Sequence, residues 1–157
     1  MNITVITAGK LKEKYFRDAV SEYAKRLSRF VKLDIIEVPD EKIPDSASEK
    51  QCAAIREKEG RLMLSHYKDS YAAALCVEGE TLSSEAFAGK LASAAMWKSH
   101  ITFFIGGSLG LSDEVKAAAD LRLSFGRMTL PHQLMRVVLL EQIYRAYKIN
   151  ANENYHK

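Results

Sequence analysis

The chain has only two cysteines, three prolines and one tryptophan in 157 residues. Cys52 and Cys76 form no C-x-x-C pair and no zinc spacing, so neither a disulfide framework nor a metal centre is expected. Two reduced, structural thiols fit a cytoplasmic protein. No apolar run approaches the roughly 20 residues that span a bilayer, so no membrane association is expected. The opening MNITVITAGK has no basic segment before an apolar core, so a secretory leader is not expected either. Nucleotide signatures are missing too. The first strand-to-helix turn, TAGKLKEK, carries one glycine and no G-x-G-x-x-G, and no G-K-[ST] follows anywhere. There is no G-x-S-x-G elbow to present Ser108 as a nucleophile. His66, His100, His132 and His156 are scattered without metal-ligand spacing.

What is present is ordinary globular composition, with 47% hydrophobic and 27% charged residues. The length fits one domain, residues 1–157, able to bury its own core. Apolar strands alternate with amphipathic helices. Strands are expected at 3–9, 32–38, 71–77, 100–107 and 121–125. Phe16, Ala19, Val20, Tyr23, Leu27 and Phe30 recur on one face of a helix over 13–30. Ser48 and Gln51 form a capping box that opens a helix to about 66, with Gly60 a weak point inside it. Ser83 or Ser84 caps the next helix, and Ser112 with Asp113 and Glu114 starts a short one. EGE at 78–80 reads as a turn, and 39–48 as a polar, mobile loop. A long helix runs from about Pro131 to Ile149. This alternation predicts an α/β domain with a mostly parallel sheet flanked by helices.

In such sheets ligands bind beyond the carboxyl ends of the strands. Here those ends are LCVEGE, IGGSLG and SFGRMTLP, and five of the eight glycines sit in them. Glycine there lets backbone approach a ligand, although strand-to-helix turns use glycine on their own account. Residues 10–32 hold eight Lys/Arg and three Asp/Glu, a net +5 within a chain of net +3. Such a face suits a phosphate backbone, or is simply the solvated side of a helix. In the last helix Arg136, Glu141 and Arg145 interrupt an apolar run. Glu141 and Arg145 stand at i, i+4 in the favourable order. Two readings stay open: a structural ion pair, or charges lining a ligand mouth near a subunit seam. The tail NANENYHK is polar and by default disordered, yet its Tyr-His-Lys end has no structural purpose.

IGGSLGL, LSFGRMTLPHQLMRVVLLEQIYRAYKI and NYHK resemble the SPOUT methyltransferases, and within them the ribosomal RNA large subunit methyltransferase H family. AGKLKEKYFRDAVSEYAKRL, IIEVPDEK and EKEGRLML carry the likeness across the rest of the chain. The resemblance implies a homodimer with a deep C-terminal trefoil knot, against the usual rule of unknotted chains. It implies methylation by S-adenosyl-L-methionine of N3 of a pseudouridine in helix 69 of 23S ribosomal RNA, within the ribosome. It implies cofactor contacts, largely through backbone, at Leu75, Gly106, Phe125, Gly126, Arg127, Met128, Thr129 and Leu130. It places Glu141, Arg145, Tyr155, His156 and Lys157 around the target base. Candidate proton acceptors are His156 and Glu141, while Lys157 and Arg145 suit stabilisation of an imide anion. Two other readings stand beside it: a ribosome-binding factor that keeps the fold without the donor site, and a small-molecule methyltransferase, which the basic N-terminal face opposes.

Overall fold

A computed structural model describes residues 1–155. Ten elements alternate: β1 (Asn2–Ala8), α1 (Lys14–Leu27), β2 (Lys32–Val38), α2 (Glu49–Ser65), β3 (Tyr71–Thr81), α3 (Ser84–Ala95), β4 (His100–Ile105), α4 (Asp113–Ala118), β5 (Leu121–Ser124) and α5 (His132–Asn150). The strands form one sheet in the order β2-β1-β4-β3-β5, and every pairing is parallel. Side chains of successive strand residues point to opposite faces, and the two cores divide accordingly. Ile3, Val5, Ala73 and Phe103 meet α1, α3 and α5 through Leu27, Phe87, Leu139 and Ile143. Ile6, Ala8, Ala72, Ala74 and Phe104 meet α2 and α4 through Met63 and Val115. Burial on both faces explains why Phe103, Phe104 and Ile105 run on in β4 without polar alternation.

The capping box forms as the sequence predicts. Ser48 Oγ accepts from the Gln51 amide at 3.2 Å, and Gln51 Oε1 accepts from the Ser48 amide at 2.8 Å. Ser83, not Ser84, caps α3, and Ser112 caps α4. Gly60 does not weaken α2 visibly. A Cβ there would fall 2.3 Å from Ser112 Oγ, so the missing side chain is what lets α2 pack against the start of α4.

Two expectations need correction. EGE is not a turn, because β3 continues through it to Thr81. Its register with β5 slips there, with Leu75 and Glu80 both opposite Leu123. Gly79 permits the irregularity: a Cβ would lie 2.7 Å from the Arg122 carbonyl. Val77, Glu78 and Glu80 are exposed, so this half of the strand lacks the apolar pattern that marks a strand in sequence. The tail is also better fixed than its polarity predicts. Glu153 bridges Arg29 at 2.6 Å and also pairs with Lys148, while Tyr155 meets the Tyr144 ring edge-on at 5.0 Å. His156 and Lys157 lie outside the described residues.

Candidate functional site

The tips of β3, β4 and β5 border a cleft of about 940 Å³. The Gly106–Gly110 turn forms one wall. Gly110 closes it with a 3.0 Å hydrogen bond to the Gly107 carbonyl and adopts φ +82°, a conformation glycine takes readily. Gly106 approaches Gly110 so closely that a Cβ would sit 2.4 Å from its carbonyl carbon. Another wall is the segment from Phe125 to Pro131. Gly126 turns it at φ +122°, and Ser124 Oγ holds the turn by accepting from the Gly126 amide at 3.1 Å. A Cβ at Gly110 or Gly126 would meet nothing within 4 Å. At both positions the positive φ, not crowding, calls for glycine, and the backbone stands beside open space.

Seven of the eight expected cofactor residues line this cleft: Leu75, Gly106, Phe125, Gly126, Met128, Thr129 and Leu130. Arg127 does not; it is exposed between two residues that do. Sequence reasoning missed a further wall. Ala53, Arg56 and Glu57, with Arg61 one turn on, present one face of α2 to the cleft. An open cleft imposes no apolar periodicity, so nothing in the pattern marked that face. His132 and Met135 contribute from the first turn of α5. Burial, followed by the charge of Arg136, holds His132 below its ordinary imidazole range despite Asp40 nearby. Burial likewise pushes the Cys76 thiol up, which disfavours the reactive thiolate.

Arg136 corrects another expectation, since it does not line the cleft. Its side chain is 1% exposed and points to the ends of β1 and β2. It pairs with Glu37 at 2.6 Å and donates to the Gly9 carbonyl at 2.5 Å. Parallel register sets Thr7 beside Glu37 on the sheet, and Arg136 Nε and Thr7 Oγ1 are both buried without a partner. The guanidinium thus fastens the first turns of α5, and the cleft segment before them, to the sheet.

Glu141, Arg145 and Tyr155 do come together, but apart from this chain's cleft. Arg145 grips Glu141 Oε1 through Nη2 at 2.7 Å and Nε at 3.1 Å, and its guanidinium lies 4.8 Å from the Tyr155 ring centre. Tyr155 donates its hydroxyl to the same oxygen at 3.3 Å, while Gln142 donates to Glu141 Oε2 at 2.8 Å. Both carboxylate oxygens are thereby engaged. The bond to Glu141 raises Arg145 above its ordinary range, and burial raises Tyr155. Leu134, Val138, Glu141 and Arg145 share one face of α5 at helical spacing, each half-buried. Leu134 and Val138 belong to neither core.

On α1 and just beyond its end, the basic face is partly neutralised. Lys14 pairs with Asp18, Arg26 with Glu22 and Arg29 with Glu153, and Arg17 donates to the Leu11 and Lys12 carbonyls. Among the described residues no group of three or more His, Cys, Asp or Glu could hold a metal ion, and no helix is long and apolar enough to cross a membrane.

A family model described as predicted SPOUT methyltransferase matches residues 1–156. The chain is 57% identical to ribosomal RNA large subunit methyltransferase H 1 of Clostridium perfringens over 159 residues, covering 100% of both chains. It is 55% identical to ribosomal RNA large subunit methyltransferase H of Bifidobacterium animalis subsp. lactis over the same span. Among solved structures, a Legionella pneumophila protein with bound SAM aligns at TM-score 0.53 and 13% identity, over 94% of this chain and 66% of its own. A methylase-family protein of Haemophilus influenzae aligns at TM-score 0.53 and 11% identity, over 96% of this chain and 66% of its own. These two likenesses concern the fold. The full-length family match and the close relatives concern descent: the chain belongs to the SPOUT methyltransferases, in the ribosomal RNA large subunit methyltransferase H family.

Proposed function

We propose that this protein methylates large-subunit ribosomal RNA, with S-adenosyl-L-methionine held in the cleft at the tips of β3, β4 and β5. One observation carries the reading. Residues expected to hold the cofactor come from three separate strand ends, and seven of the eight face one cleft. The intact cleft weighs against a ribosome-binding factor without a donor site.

The residues present suit the cofactor. The open space at Gly110 and Gly126 admits a ligand against backbone. Backbone groups of the Phe125–Leu130 segment are available to an adenine edge, and Leu75, Met128 and Leu130 offer apolar walls. Bound there, S-adenosyl-L-methionine supplies an electrophilic methyl group on its sulfonium. The chain's own task is to hold and orient, which contributes up to about 7–11 kcal/mol in well-aligned reactions.

The finer reading is methylation of N3 of a pseudouridine in helix 69 by a cytoplasmic homodimer with a knotted C-terminal region. The half-buried stripe Leu134–Val138–Glu141–Arg145 supports a subunit seam on α5. In this reading, one subunit's Glu141, Arg145 and Tyr155 complete its partner's cleft. N3 must lose a proton. Glu141, with both oxygens engaged, is a poor acceptor, which leaves His156 as the base. A positioned base contributes roughly 10²–10⁴-fold. Arg145 and Lys157 then stabilise the imide anion on the neighbouring oxygens. Incubating the protein and cofactor with ribosomes lacking the modification, then mapping the methylated nucleotide by mass spectrometry, tests the reading. A methyl group on that pseudouridine is expected; unmodified RNA, or methylation of free nucleosides instead, would overturn it.

A further inference from the structure

The chain has nine arginines, and their partners divide them. Arg17 and Arg122 donate to backbone carbonyls. Arg26, Arg29, Arg56, Arg136 and Arg145 are each held by a carboxylate. Among the described residues, Arg61 and Arg127 alone have neither. Both stand at the same cleft. Arg61 lines it from α2, and Arg127 is exposed in the facing segment, between the lining residues Gly126 and Met128. Arg61 even forgoes a local partner. Glu57 lies one turn before it, in the order that favours a helical ion pair, yet the two do not pair. Asp113 and Glu114 also line the cleft, but in the first turn of α4, where the helix N-terminus draws their charge.

A guanidinium presents a planar fork of donors that matches the oxygens of a phosphodiester and stays charged at any working pH. Two such forks on separate elements, at the rim of one cleft, suit a chain of phosphates better than one small anion. The cleft, about 940 Å³, fits a single small ligand within, which leaves the arginines at its rim to meet what approaches from outside. We propose that Arg61 and Arg127 grip the phosphate backbone of the substrate RNA at the cleft mouth and so deliver the target nucleotide to the methyl donor. This rests on the reading of the cleft as an RNA-methylation site. It gives the Arg127 side chain a role distinct from the backbone of its segment, and it locates an RNA contact away from the partly neutralised face of α1.

The test uses the full chain saturated with S-adenosyl-L-methionine: wild type, the double variant R61A/R127A and the charge-preserving R61K/R127K. Binding to unmodified large ribosomal subunits is measured between about 50 and 200 mM salt, the range over which counterion release is read. Each lost phosphate contact flattens the slope of log affinity against log salt by roughly 0.7–0.9, so R61A/R127A should lose about 1.4–1.8. Its affinity at low salt should fall about a hundredfold, taking about tenfold for each charge-assisted contact. Its affinity for the cofactor alone should stay within about twofold, because the contacts proposed for the cofactor are backbone groups and the apolar side chains of Leu75, Met128 and Leu130. R61K/R127K should keep the slope while losing affinity with the fork. An unchanged slope in R61A/R127A, with a wild type that binds cofactor and methylates RNA, overturns this inference alone. A cofactor affinity that falls about tenfold or more, with the salt slope intact, reassigns the arginines to the cofactor's carboxylate and also overturns it. A wild type that binds neither cofactor nor RNA sinks the methylation reading, and this inference with it.

Discussion

Gly106→Ala should disable the cleft from inside the fold. The added Cβ would lie 2.4 Å from the Gly110 carbonyl carbon, 2.6 Å from its oxygen and 2.8 Å from its Cα. All three are backbone atoms, so no side chain can swing aside. The turn from Gly106 to Gly110 must open instead, straining the Gly110-to-Gly107 hydrogen bond. Overpacking costs about 1–3 kcal/mol, and a backbone obstacle puts this case near 3. At about 2–4 °C per kcal/mol for a chain of this size, Tm should fall by about 6–12 °C. Gly89→Ala is the matched control. In α3 its Cβ would meet nothing within 4 Å, and alanine is the better helix former by about 1 kcal/mol, so Tm should rise by about 2–4 °C. Thermal unfolding and cofactor calorimetry read both variants. G106A should also weaken the cofactor by at least about tenfold, or 1.4 kcal/mol, while G89A leaves it unchanged. A G106A protein that melts within about 2 °C of wild type and keeps its cofactor affinity would refute the role given to this turn.

Arg136→Leu should cost about 1–3 kcal/mol, read as a lowered urea midpoint, because the Ala8 and Gly9 carbonyls lose their buried donor while Glu37, itself exposed, turns to water. Deleting residues 155–157 should abolish methylation yet leave cofactor affinity within about twofold; retained activity would remove the tail from the mechanism. His132 is held neutral by burial. Protonation therefore opposes folding, and its share of stability is present above the ordinary value of 6.5 and lost as pH falls below it. His132→Gln should flatten that limb of the stability profile. Glu59 is the reverse case, raised above its ordinary 4.5 first by burial and then by Asp40 and Glu41. Its share of stability is full below 4.5 and is lost as pH rises through the raised value, so Glu59→Gln should gain on wild type toward neutral pH and match it in acid.

Much of the sheet was legible because β1, β2 and β4 are rich in β-branched residues and α2, α3 and α4 open on serine caps. Ser48–Gln51 and Ser112 state their helix starts in local chemistry that no tertiary contact overrides. β3 was cut short at Val77 because its second half pairs with β5 while its side chains face solvent, and backbone pairing of that kind leaves no hydrophobic signature. The strand-tip rule and the glycines found the cleft; the α2 wall escaped, since Arg56, Glu57 and Arg61 look like any solvated helix face. Arg136 was grouped with Glu141 and Arg145 because all three interrupt one apolar run. Their directions differ: Arg136 turns to the ends of β1 and β2, while the other two hold each other and Tyr155. Sequence spacing reports the face of a helix but not which neighbour that face meets.

A crystal structure with S-adenosyl-L-methionine tests the central claim most directly. The account predicts the adenosyl group against Leu75, Gly106 and the Phe125–Leu130 backbone, with the sulfonium open toward a second subunit's Glu141, Arg145 and Tyr155. Cofactor bound elsewhere on the chain, or a solitary subunit active in solution, would contradict it.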